Sequence, residues 1–163
     1  QMCIRDSLYP LEAVGAGDST LAKAYERDAL AMIPTKSKLM PHAREVLEYL
    51  SGKYNLYILS NGFKELQSHK MRSSGIDEYF KKVVLSDDIG ILKPWPEIFH
   101  FALSTTQSEL NNSLMIGDSW ENDIVGAAGV GMHQVFYNLS GRTDLPFAPT
   151  YQITDLKDLF NFL

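Results

Sequence analysis

From Pro41 to its C-terminus this sequence alternates between short apolar runs and stretches with helical periodicity, a pattern that leaves few folds open. Pro41 opens a helix at its first turn, with Val46, Leu47 and Leu50 apolar, closing near Ser51-Gly52. Leu56-Tyr57-Ile58-Leu59 is rich in strand formers and is expected as a buried parallel strand that stops at Ser60-Asn61-Gly62. Helices over 65–74 and 97–104, strands over 82–85 and 114–116, a helix after Asn122, strands over 134–137 and 151–153, and a C-terminal helix from Asp155 continue the exchange. Strand and helix alternating in this way imply a parallel sheet with helices on both faces, an α/β fold. Ahead of this, Asp18 or Ser19 can cap a helix over 18–32, whose Leu21, Ala24, Tyr25, Ala29 and Met32 recur at helical spacing until Pro34. Residues 1–7 show neither turn chemistry nor periodicity and are set aside as a non-native remnant.

The 45% hydrophobic fraction is enough for one ordinary core. Acidic residues outnumber basic ones, 20 to 15, and the basic residues are scattered, so neither a nucleic-acid nor a membrane partner is expected. A single cysteine, Cys3, excludes an internal disulfide and a cysteine-based zinc site, and fits a reducing compartment; the expected location is the cytoplasm. No apolar run approaches the roughly 20 residues that span a bilayer, and no leader-like segment is read at the N-terminus. His42, His69, His100 and His133 lack metal-ligand spacing and are read as surface or interface residues. Oligomeric state is not legible.

Open parallel sheets bind ligands beyond the carboxyl ends of their strands, and three such positions carry chemistry here. Ser60-Asn61-Gly62 offers a hydroxyl and backbone N–H groups ahead of a helix, which suits a phosphate oxygen, although Ser-Asn-Gly is also an ordinary turn. Lys93 stands directly before Pro94, which restricts its backbone, so it is either a solvated loop lysine or a cation delivered to an anion. Leu114-Met115-Ile116-Gly117-Asp118 is an apolar strand ending in glycine and aspartate, with Asp123 five positions beyond Asp118. Mg²⁺ takes oxygen ligands, usually one or two carboxylates with waters and substrate phosphate, so Asp118 is a candidate ligand. Asp123 could hold a water or the lysine, or simply cap the next helix. Phe63 and Trp120 flank these motifs and are read as core residues ahead of a base pocket.

In this order, Ile58-Leu59-Ser60-Asn61-Gly62, Lys93-Pro94 and Gly117-Asp118 with Asp123 resemble the second, third and fourth motifs of the haloacid dehalogenase (HAD) superfamily. Ser60-Asn61-Gly62-Phe63, Lys64-Glu65-Leu66-Gln67 and Met115-Ile116-Gly117-Asp118-Ser119 are most similar to its pyrimidine 5′-nucleotidases. The resemblance spans Pro41 to the C-terminus and implies a Rossmann-like three-layer α/β/α fold with a parallel sheet. It implies further that Ser60 and Asn61 bind the transferring phosphoryl group, that Lys93 bridges it and the nucleophile, that Asp118 coordinates Mg²⁺, and that Asp123 supports the site. The implied reaction is hydrolysis of a small phosphate monoester, a nucleoside 5′-monophosphate, through an aspartyl-phosphate.

The family's first motif, an apolar strand ending in two aspartates one residue apart, has no counterpart upstream of Ser60: Asp6, Asp18 and Asp28 follow no apolar strand, and none has an aspartate two positions on. The expectation is therefore a fragment in which 8–38 is the remainder of a helical cap and 39–163 is the core. It would lack the central strand between those ending at Ser60 and Asp118, and its isolated activity would be reduced on the order of 10⁶-fold. Buried strand edges left unpaired cost roughly 1–3 kcal/mol per orphaned group, so the chain alone is expected to be marginal or aggregation-prone. Two alternatives stand beside this one. A haloacid dehalogenase shares the serine and lysine but needs no Mg²⁺, and a non-catalytic phosphate-binding protein could keep the fold, although gathered carboxylates repel without a task. Gly15-Ala16-Gly17-Asp18 is also similar to the signature of ribokinase-like sugar kinases, but too few residues precede Asp18 here to form their sheet.

Overall fold

The computed structural model describes residues 37–62 and 64–163, together with Thr20, Ala24, Arg27 and Asp28, each of them helical. The rest of the helix expected over 18–32, and Phe63, lie outside the described residues. Two compact units are distinguished, one of Gln1–Lys38 with Glu65–Gly75, the other of Leu39–Lys64 with Ile76–Leu163. In the first, the clearest element is α2, Lys64–Ser74, whose Met71 is buried.

The second unit carries the sheets. Its elements are α1 (Ala43–Ser51), β1 (Leu56–Ser60), β2 (Phe80–Leu85), α3 (Pro96–Thr106), β3 (Leu114–Gly117), a wide turn over Trp120–Ile124, α4 (Val125–Gly129), β4 (His133–Tyr137) and β5 (Tyr151–Ile153). A 3₁₀ helix, Leu156–Asn161, replaces the α-helix expected after Asp155. Asp155 caps it, accepting from Lys157 N–H, while Asp158 reaches back to Asp155 N–H. Every ladder is parallel: β1 pairs with β2, while β3, β4 and β5 form a second sheet in that order. Ser60 lies opposite Leu85 and Gly117 opposite Phe136, so the chain leaves each of these strands at the same end as its neighbour.

Side-chain alternation sorts the strands between two cores. Leu56 and Leu114 pack with Val46, Leu50, Val135, Ile153 and Leu159, that is, with α1 and the 3₁₀ helix. Leu59 and Met115 pack with Ile98, Phe99, Ala127 and Met132, that is, with α3 and α4. Because β1 and β3 contribute to both clusters, they lie in one layer with helices on each face, although no ladder joins them. Ile98 and Phe99 are fully buried and each contributes about 1.5–3 kcal/mol. The expectation of a fully buried first strand needs correction, since all five residues of β1 are half-buried. Among the described residues β1 has β2 as its sole ladder partner. No described helix is long and apolar enough to cross a membrane.

Candidate functional site

The chain leaves β1 at Ser60, and there the Ser60 hydroxyl accepts from Gly62 N–H at 3.0 Å, tightening the turn on which the strand ends. Asn61 points across to the loop that follows β2. Its Oδ1 accepts from Lys93 N–H at 2.8 Å and its Nδ2 donates to the Lys93 carbonyl at 3.1 Å. From a backbone held in this way, and followed by a cis bond to Pro94, the Lys93 ammonium reaches the Leu59 carbonyl at 2.8 Å and Asp123 Oδ1 at 2.6 Å.

Asp123 is placed by the wide turn after β3. Ser119 begins that turn, its hydroxyl accepting from Asn122 N–H at 3.3 Å and from the Asn122 side chain at 2.9 Å. Ser119, not Asp123, is the capping residue. The turn closes five residues on, Ile124 N–H donating to the Ser119 carbonyl, and this extra residue rotates Asp123 inward. Its Oδ2 accepts from Ser119 N–H at 3.1 Å, and its body lies over Gly117, where an added Cβ would fall 2.5 Å from Asp123 Cγ. Gly117 is therefore glycine for lack of room. The Lys93 and Asp123 side chains are only 10% and 6% exposed, so their ion pair is shielded and hydrogen-bonded on both sides.

Asn61, Lys93 and Asp123 are thus joined in one hydrogen-bonded constellation, and Ser60 stands between Leu59 and Asn61, the two residues to which Lys93 is bonded. Asp118 stands apart from that network: it is exposed, and among the described residues its carboxylate has neither a hydrogen-bond nor an ion-pair partner. No group of three or more His, Cys, Asp or Glu able to hold a metal occurs among the described residues. The donor set nevertheless fits one ligand of a hard cation, since Asp118 is uncommitted while Asp123 is spent on Lys93 and Ser119. Lys93 cancels Asp123, and the charge of Asp118 alone would repel a phosphate dianion unless a cation rested on it.

Behind the turn, Trp120 is buried against Phe136 and Phe147, so the core reading of this aromatic holds. Arg142 binds Glu121 at 2.6 Å and Asp144 at 3.2 Å, and lies over the Trp120 ring. Its hydrogen bond holds the Glu121 carboxyl below its ordinary value, aided by a backbone hydrogen bond of Glu121 itself. All four histidines are exposed. Two roles escape a reading of the sequence: Asn61 as a partner of the Lys93 backbone, and Gly126, where a Cβ would meet the Phe99 ring at 2.6 Å and Pro94 Cα at 3.0 Å. The Ser119-x-x-Asn122 spacing was the one local sign of the cap.

Residues 7–131 match the family model of haloacid dehalogenase-like hydrolases. The chain is 31% identical to the HAD-hydrolase YfnB of Bacillus subtilis over 95% of its own length and 64% of YfnB, and 31% identical to the pyrimidine 5′-nucleotidase YjjG of Escherichia coli over 76% and 56%. It therefore spans less than two thirds of either relative. The crystal structure of YfnB bound to magnesium superposes with a TM-score of 0.86 at 27% identity, covering 96% of this chain and 68% of that one. A 2-haloacid dehalogenase from Pseudomonas syringae superposes at 0.72 with 27% identity, covering 97% and 68%. With its parallel α/β fold and its motif residues collected at the strand ends, this chain belongs to the haloacid dehalogenase-like hydrolases.

Proposed function

We infer that the whole protein hydrolyses small phosphate monoesters, nucleoside 5′-monophosphates among them, and that this chain supplies the phosphate cradle and the cation seat. The observation that carries the reading is the Lys93 ammonium, fixed between the Leu59 carbonyl and Asp123 beside Ser60. Ser60 donates to a phosphoryl oxygen, Lys93 offsets the charge of the transferring group, and Asp123 keeps Lys93 oriented. Asp118 would hold Mg²⁺, which when bound supplies positive charge against the phosphoryl oxygens. The nucleophile and the general acid and base are the first and second aspartates of an Asp-x-Asp on an apolar strand that lies between β1 and β3 in the whole protein, with residues 8–38 part of a helical cap. The shared cores of β1 and β3, with no ladder between them, support that placement.

The test is the initial rate of the whole protein on nucleoside 5′-monophosphates with Mg²⁺, and then with a chelator. Hydrolysis that is lost on chelation, restored by Mg²⁺ and reduced roughly a hundredfold or more in Asp118→Asn is expected. Likeness to the dehalogenase structure keeps a second reading open, and metal-independent release of halide from a 2-haloacid, without phosphatase activity, would sink the first.

A further inference from the structure

The geometry points to Asn61 as a positioning residue for Lys93 and not a ligand of the substrate; its catalytic consequence rests on the phosphatase reading, its structural content does not. Lys93 sits in irregular chain between β2 and α3, where neither its N–H nor its C=O belongs to a helix or a ladder. Buried or half-buried backbone groups need partners, and Asn61 supplies both, accepting at 2.8 Å and donating at 3.1 Å across 32 positions of sequence. Only a primary amide of this length can do so. Aspartate lacks the donor, serine the reach, and glutamine is a methylene too long.

The bonds at the other end of the lysine complete the device. Its ammonium donates to the carbonyl of Leu59. Leu59 and Asn61 flank Ser60, so main chain and ammonium of Lys93 are each referenced to a neighbour of the serine. The hydroxyl of Ser60 and the charge of Lys93 are thereby held in one register, as two groups that must meet the same anion require. Lys93 takes one N–H and one lone pair of the Asn61 amide and sets its orientation, and the amide brings no charge to a phosphate.

The test is pulse acylation of the whole protein with acetic anhydride, read residue by residue by mass spectrometry. Lys82, exposed on β2, normalises the reagent dose, and amide exchange at the buried Val135 and Phe136 of β4 reports global unfolding. In Asn61→Ala the acylation rate of Lys93 should rise on the order of tenfold as open conformers of the loop gain population, with Lys82 unchanged. Asn61→Asp keeps size and acceptor while losing the donor, and should give a smaller rise. An unchanged Lys93 rate in Asn61→Ala, with inhibition by inorganic phosphate weakened, would make Asn61 a direct anion ligand and overturn the assignment. If Asn61→Ala unfolds, raising amide exchange at Val135 and Phe136 along with Lys93 labelling, then Asn61→Asp decides, and an unchanged Lys93 rate there overturns it equally. Labelling needs no turnover. A protein that labels as expected but hydrolyses nothing loses the phosphatase reading and keeps the Asn61 clamp; an active enzyme with unaltered labelling does the reverse.

Discussion

A buried aspartate whose cation is removed is costly, and this bears directly on Lys93. Substituting Lys93→Met leaves Asp123 shielded with only Ser119 N–H to answer it, and should destabilise the unit by about 3–5 kcal/mol. Urea unfolding should show a lower midpoint at constant slope, and Lys93→Met/Asp123→Asn should recover part of the loss; no recovery would mean that the cost lies in packing and not in charge. A second residue-scale test concerns Glu121, whose carboxyl Arg142 holds below the ordinary value of 4.5. A depressed carboxyl contributes stability that is present above its ordinary value and is lost as pH falls through the folded value. Arg142→Gln should move the Glu121 titration upward in carbon NMR of the carboxyl and remove that acid-sensitive contribution; an unmoved titration would show that the pair does not form in solution. At this scale Ser60 and Asp118 were readable as candidates because each stands at the end of an apolar strand, and Lys93 because it directly precedes Pro94. Asn61 was read as a phosphate ligand alone, and its hydrogen bonds to Lys93 span 32 positions, which nothing local reveals.

Elements decide how closely these residues meet. The helix expected after Asn122 instead begins with the wide turn at Trp120, and α4 follows at Val125. That turn is held by a local bond of Asp123 to Ser119 and a tertiary one to Lys93, and the second is beyond the reach of periodicity. Gly126 in α4 faces the Phe99 ring of α3 and the Pro94 backbone, and so sets how near the lysine loop lies to the turn that carries Asp123. Gly126→Val should cost about 1–3 kcal/mol through overpacking. Adding Phe99→Leu should return part of it, as thermal or urea unfolding would show. A neutral Gly126→Val would mean that the two helices yield without strain. Strand identities and most helix spans were legible from the period, because apolar β-rich runs and helical stripes are local signals. The C-terminal 3₁₀ helix was read as α, since its first-turn capping chemistry is the same for both.

For the whole molecule the open question is the pair of edges at β1 and β3. They share two cores without a ladder between them, and a half-buried strand with one edge unpaired among the described residues invites association. The 163-residue chain on its own should therefore melt over a broad range or associate, as calorimetry with sedimentation would register. A single cooperative transition from a monomer would overturn this expectation. Arg142 and the loop around it act at the same scale: the buried Asn138 binds Arg142 through both its N–H and its C=O, holding the segment that covers Trp120.

Sequence alone determined the α/β class, the order of strands and helices, and which strand ends bear serine, lysine and aspartate, because each is encoded within a few residues by period, propensity and turn chemistry. Tertiary structure decided that Asn61 serves Lys93, that Asp123 turns inward over Gly117, and that Asp118 is left uncommitted. The bonds that join Lys93 to Asn61 and Asp123 link segments 32 and 30 positions apart, which meet only when two hydrophobic cores close around the strands.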